Sequence, residues 1–283
     1  MKKIILLIAA ALLVISPLVA AVSTIQSMES TNSQPITPQP TSAFTHTVFI
    51  EEGTTTWCPN CPEAAEALHA LFANNSQYPF YYTALVLDRE KTSKTRFGYH
   101  YGGTAIPTLF FDGGNKTMVG ATGNLAQTEQ AYRNLINECG ARTVHPLELN
   151  TSVVGHNDAK LEITVTVKNT GSSRYIGILK SSVSEIVSRW NDEQGHPYHN
   201  AFLSYAIQKL VVLQPEKSKT FTVTWNGAAT HGNHTYPDIV DNNIIVISTI
   251  ANIQPHVIPA EQYVRQHIAF YIDQTSGATV TIE

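Results

Sequence analysis

The stretch Cys58-Pro59-Asn60-Cys61 constrains this chain more than any other, because it sets two thiols one helical turn apart where a strand gives way to a helix. Residues 47–51 are β-branched and apolar and predict a strand. Residues 62–72, rich in Ala, Glu and Leu, predict a helix. Cysteines at that spacing close a small disulfide or separate with little backbone motion. The first of them also lies where free backbone N–H groups and the helix dipole stabilise a thiolate. The pair is therefore equipped for thiol–disulfide exchange. Its other readings are a static disulfide, or half of a zinc site lacking two further ligands, since no second C-x-x-C or Cys-His pair exists in the chain.

The first residues speak to location. Lys2 and Lys3 precede an apolar run over 4–22, interrupted by Ser16 and Pro17. This reads as a signal peptide cleaved after Ala21 or Ser23, or as a membrane anchor, since the run approaches the ~18–20 residues that span a bilayer. A Ser/Thr/Gln/Pro linker over 23–43 follows, and a spacer of that kind suits a tethered domain. The expected setting is extracytoplasmic, membrane-anchored or secreted. In such a setting the sequons at Asn74, Asn115, Asn150 and Asn233 permit glycosylation. A net charge of −4, with 14% charged residues, argues against nucleic acid as a partner.

Residues 44–143 read as alternating strands and helices. Strands are expected over 47–51, 80–87 and 108–111, with a loop-and-helix region over 88–101. The turn Asp112-Gly113-Gly114-Asn115 predicts a hairpin to 117–120, and a closing helix is expected over 125–139. Residues 144–283 contain short alternating segments over 147–154, 161–167, 177–183, 209–213, 220–225, 244–250 and 267–272, with no cysteine among them. The expected fold class is an α/β domain followed by an all-β immunoglobulin-like sandwich.

Three residues around the dithiol fit its chemistry. Glu52, at the end of the first strand, can relay the proton that Cys61 loses before attacking a mixed disulfide. Trp57 supplies an apolar flank. Pro107, after a Gly-rich turn, would present backbone to an extended substrate if its peptide bond were cis. Among Phe97, Tyr81, Tyr82, Tyr99 and Tyr101, only Phe97 and Tyr99 are placed to reach a substrate.

Trp57-Cys58-Pro59-Asn60-Cys61-Pro62 after a first strand, with Thr104-Ala105-Ile106-Pro107-Thr108 further on, resembles the thioredoxin superfamily over about 44–142. The resemblance implies a thioredoxin-like domain in which Cys58 attacks, Cys61 resolves and Pro107 is cis. Glu52 matches the family's buried acid in spacing, although many members carry Asp there. The whole chain is similar to secreted thioredoxin-plus-sandwich proteins related to a 28-kDa bacterial outer-membrane protein. That likeness rests on Ile50 to Cys58 and on Tyr198-His199-Asn200-Ala201-Phe202, where Ala201 departs from a fuller His-Asn-His form.

The function expected from these readings is an exported thiol–disulfide oxidoreductase acting on protein disulfides. Its partners would be protein thiols and disulfides, with a membrane redox donor as one electron source, and it needs no cofactor. The rival is a cell-surface binding or adhesion protein with a static Cys58–Cys61 disulfide. Cys139 reads as a buried thiol packing as a small hydrophobe. The pairs His196/His199 and His231/His234 would bind copper or zinc only if their loops met; the plainer reading is solvent-facing histidines.

Overall fold

The computed structural model describes residues 44–73, 78–156 and 158–282. The leader over 1–22, the linker over 23–43 and the sequon at Asn74 lie outside the described residues.

From the first strand the chain runs β1 (Val48–Thr54), helix α1 (Cys61–Ala73), β2 (Phe80–Val86), a short helix α2 (Lys91–Thr95) and a π-helical turn, Arg96–His100. It continues through β3 (Thr108–Phe111), β4 (Lys116–Val119) and helix α3 (Leu125–Gly140). Ten strands follow: β5 (Leu147–His156), β6 (Lys160–Asn169), β7 (Tyr175–Asn191), β8 (Pro197–Leu213), β9 (Ser218–Asn226), β10 (Ile244–Asn252), β11 (His256–Ile258), β12 (His267–Ala269), β13 (Ile272–Thr279) and β14 (Thr281–Ile282).

The expected class, an α/β thioredoxin-like domain followed by a separate all-β immunoglobulin-like sandwich, is corrected by the strand pairing. Among the described residues strands prevail, and one mixed eight-stranded sheet runs β13-β10-β7-β8-β2-β1-β3-β4. The strands nearest the dithiol are thus one end of a sheet that continues into the C-terminal half. The join is β2 to β8, a parallel contact at Ala84 and Ala201. Side chains reinforce it: Thr83 donates to the Asn200 carbonyl at 2.8 Å and shares a hydrogen bond with Ser184 at 2.9 Å. An edge strand leaves a row of backbone donors and acceptors open, and here β8, from the distant C-terminal half, pairs with that edge at Ala84.

Sandwich character comes from a second sheet, β14-β5-β6-β9, facing the β7, β8 and β10 part of the large one. Alternation builds the core between them. Leu161, Ile163, Val165 and Val167 point inward from β6 and meet Leu179 and Val183 of β7 and Val246 and Ile250 of β10. Strands β7 and β8 are 17 residues each, far longer than the apolar segments expected over 177–183 and 209–213. Polar residues outside those segments, including Ser184, Glu185 and Asn200, are buried inside the two strands.

On β1 the same alternation separates two environments. Val48 and Ile50 pack with Ala64 and Leu68 of α1 and Ile136 of α3, whereas Phe49 packs with Ile245, Ile247 and Ile272 on the opposite face.

Candidate functional site

The chain leaves β1 at Thr54 and turns through residues 55–60 before α1 begins at Cys61. The turn is pinned from two sides. The Thr56 backbone N–H and hydroxyl donate to Asp88 at 3.1 and 2.6 Å, and the Tyr198 hydroxyl donates to the Thr55 carbonyl at 2.9 Å. Within it the Cys58 N–H donates to the Thr55 carbonyl and the Cys61 N–H to the Cys58 carbonyl, both at 3.3 Å. Cys58 and Cys61 form a disulfide with Cα atoms 5.4 Å apart. Both are buried, Cys58 at 2% exposure and Cys61 at 0%. An attacking thiolate has to meet its substrate, and in the oxidised state Cys58 Sγ is largely covered. Tyr198 of β8 ties the start of this turn, its hydroxyl also sharing a hydrogen bond with Thr54 Oγ1 at 2.8 Å.

Glu52 shares the face of β1 that carries Val48 and Ile50, and it is buried with no hydrogen-bond partner on Oε1 among the described residues. Burial pushes its carboxyl from the ordinary 4.5 up to about 8. Nearby, burial and then the Glu52 charge raise the hydroxyls of Tyr82 and Tyr132, and the Tyr132 hydroxyl is likewise unpartnered. At neutral pH Glu52 is therefore a protonated acid in an apolar setting, able to give a proton and to take one back near pH 8.

Trp57 stands out from the turn at 64% exposure. It forms one wall of a groove of about 620 Å³ with Thr55, Leu87, Phe97, Ile106 and Arg265. The Ile106–Pro107 bond is cis, and the Pro107 carbonyl accepts from the Gly120 N–H at 2.7 Å. The loop before Pro107 is strapped by a distant segment. Thr104 N–H donates to the Tyr263 carbonyl at 2.9 Å, Arg265 N–H donates to the Gly102 carbonyl at 2.8 Å, and Gly103 bridges to Val264. Sequence reasoning missed Arg265, and no local signal marks it, since the strap joins residues 159 apart. Of the two aromatics expected to reach a substrate, Phe97 lines the groove and Tyr99 is exposed but not among its lining residues, while Tyr82 and Tyr101 are buried.

The histidine pairs do not assemble. No group of three or more His, Cys, Asp or Glu able to hold a metal occurs among the described residues. His199 lies in β8 rather than a loop and stacks on His69 with ring centroids 3.6 Å apart. His231 stacks on Trp225 at 4.8 Å, and the ring of His234 bonds to the Arg89 carbonyl at 2.6 Å. Cys139 is buried, its thiol raised by burial, and donates to Asn115 Oδ1 at 3.6 Å. Of the sequons within the described residues, Asn150 and Asn233 are exposed and Asn115 is half-buried.

No family model matches the chain, and no curated protein does. Among solved structures it is similar to the CARDB domain of the PF1109 protein from Pyrococcus furiosus, at 16% identity over 50% of this chain and 100% of that one, with a TM-score of 0.27. It is also similar to a β-glucosidase from Kluyveromyces marxianus (16%, covering 48% of this chain and 14% of that one, TM-score 0.26). A third likeness is to the sporulation control protein Spo0M from Bacillus subtilis (15%, covering 50% of each chain, TM-score 0.28). At these scores the likenesses assign neither fold nor activity.

Proposed function

We propose that this protein is an exported thiol–disulfide oxidoreductase acting on protein thiols and disulfides. The observation that carries the reading is the Cys58–Cys61 disulfide at a strand–helix junction whose strand also buries Glu52, an acid raised to about 8 with no partner on Oε1 among the described residues. In the oxidising direction a substrate thiolate attacks Cys58 Sγ. The Cys58–Cys61 bond breaks, a substrate–Cys58 bond forms, and Cys61 leaves as a thiolate that takes the proton held by Glu52. A second substrate thiolate then attacks the substrate sulfur of the mixed disulfide. This expels Cys58 as a thiolate and leaves the substrate oxidised by two electrons. The reducing direction reverses each step, with Glu52 receiving the Cys61 proton. The groove walled by Trp57, Phe97 and Ile106 is where an extended substrate segment would lie.

Burial of both cysteines favours a second reading, in which the disulfide is a static cross-link in a cell-surface binding protein. Two measurements separate them. If the exchange reading holds, the couple equilibrates with glutathione buffers, Cys58→Ser abolishes exchange, and Cys61→Ser accumulates mixed disulfides through Cys58. A couple below about −300 mV, with both single variants as active as the parent in an insulin-type assay, establishes the cross-link instead. The extracytoplasmic setting and the N-terminal tether belong to the same proposal. They rest on the charged and apolar start of the sequence; no helix among the described residues is long and apolar enough to cross a membrane.

A further inference from the structure

The face of β1 opposite Glu52 carries a second buried carboxylate, Glu51, and a set of cations that outnumbers it. Arg96 grips Glu51 through two hydrogen bonds, Nε to Oε1 at 2.9 Å and an Nη to Oε2 at 2.8 Å, and lies over the Tyr101 ring with its guanidinium carbon 4.2 Å from the centroid. Tyr101 adds a short hydrogen bond to Glu51 Oε2. That carboxylate is therefore spoken for. Lys180, pointing from β7 onto the same sheet face, has no carboxylate within ion-pair distance among the described residues. Its nearest aromatic partner is the Tyr205 ring, 5.6 Å from Nζ. The Arg96 charge and burial together push the Lys180 ammonium down to about 8, which is the electrostatic signature of excess positive charge.

These cations border empty space. Arg96, Lys180 and Thr249 line both a small inner void of about 10 Å³, room for roughly one water, and an outer cavity of about 190 Å³. The outer cavity is bounded on the charged side by Arg96, Lys180 and His100, with no acidic residue in its wall. Ile178, Ala251, Ile272, Ile268 and Phe270 also line it, the last two exposed at 57% and 37%. A partly desolvated cation with no ion-pair partner favours an anion beside it, and exposed apolar side chains at the mouth of a cavity mark a surface suited to an apolar group.

We infer that this cavity is a binding site for a small carboxylate with a short apolar chain, its carboxylate held between Lys180 and Arg96 and its chain lying against Ile178, Ile268 and Phe270. The site shares no residue with the dithiol groove and does not depend on redox activity.

The test is calorimetric titration of the purified full-length protein with hexanoate, with 1-hexanol and inorganic phosphate as probes lacking the charge and the chain respectively. The expected result is saturable one-to-one binding of hexanoate, at least about tenfold tighter than either control, as loss of a charge-assisted contact or of a buried chain implies. Lys180→Met should weaken hexanoate by about tenfold or more. Because Lys180 is half-buried within β7, Ile268→Glu serves as the variant at an exposed position. It places a like charge at the mouth and should weaken hexanoate by a similar factor. Absence of saturable hexanoate binding, equal binding of hexanol or phosphate, or unchanged affinity in folded Ile268→Glu protein would each overturn the assignment.

Discussion

Glu51 and Glu52 are adjacent residues of one strand, both buried, and the two sides of the sheet treat them oppositely. Burial pushes the Glu51 carboxyl up, but the Arg96 charge and hydrogen bonds, joined by Tyr101, outweigh it and hold Glu51 below its ordinary value. Glu52 faces the helices and meets no such partner, so burial alone acts and the carboxyl rises to about 8. One residue of register therefore separates a permanently charged, ion-paired carboxylate from a proton-holding one. Two carboxylates with opposed environments are how a fold divides structural and proton-transfer roles between like side chains. On the reading proposed above, Glu52 serves the dithiol while Glu51 anchors Arg96 at the edge of the cavity.

The comparison breaks most severely if Glu51 is removed. Glu51→Leu leaves a largely covered Arg96 beside Lys180 with no carboxylate partner among the described residues, and since stripping one member from a fully buried pair costs about 3–5 kcal/mol, the loss should lie near the lower end of that range. Chemical denaturation should show that loss at pH 7, together with a lower melting temperature. Glu52→Gln works in the other direction. A carboxyl with a folded value near 8 and an unfolded value near 4.5 leaves stability untouched below pH 4.5 and erodes it as pH rises towards 8. The variant removes that erosion, so it should match the parent at pH 4.5 and exceed it by about 2–4 kcal/mol at pH 8.5 in urea titrations. Equal stability at pH 8.5 would show that Glu52 is solvated. The same variant should slow disulfide exchange by about 10²-fold if Glu52 moves the Cys61 proton.

Gly53 offers a milder way to disturb both carboxylates at once. A Cβ at this position would meet the Phe97 ring at 2.1 Å, and Phe97 follows Arg96 directly in the π-helical turn. Gly53→Ala should cost about 1–3 kcal/mol through overpacking. It should also shift the Trp57 fluorescence of the groove that Phe97 lines.

What the sequence made legible was local. The thiol pair, the strand ahead of it, the helix after it and the Asp112-Gly113-Gly114-Asn115 hairpin are written in contiguous residues, and these elements stand close to their expected bounds. What it hid was pairing at long range. The fold class turned on the join of Ala84 to Ala201 and on buried serines that let β7 and β8 run through a polar stretch. Nothing in the string distinguishes Glu51 from Glu52 except parity on a strand, and the partner that decides between them, Arg96, lies 45 residues away in a short turn. Lys180 and Arg265 are invisible for the same reason, since each acquires its place only through long-range pairing, Lys180 in the continuous sheet and Arg265 in the strap to Gly102.

Tyr101→Phe makes the smallest and most selective test of the two-faced strand. The substitution keeps the ring that stacks on Phe110, with centroids 4.2 Å apart and planes 8° from parallel, and deletes the hydroxyl that donates to Glu51. Because Arg96 still holds Glu51 by two hydrogen bonds, the carboxylate stays ionised and the loss should be about 1–2 kcal/mol, well short of that for Glu51→Leu. A depressed carboxyl gives stability that is present above its unfolded value and fades as pH falls through the folded one. The deficit of the variant should accordingly be full at pH 7 and shrink on acidification below about pH 4.5, the mirror image of the Glu52→Gln profile. Urea titrations of both variants from pH 3.5 to 8.5 would resolve the two trends. A deficit that stays constant with pH would assign the Tyr101 hydroxyl to packing rather than to the charge on Glu51, and would leave Arg96 alone responsible for keeping the two neighbours apart.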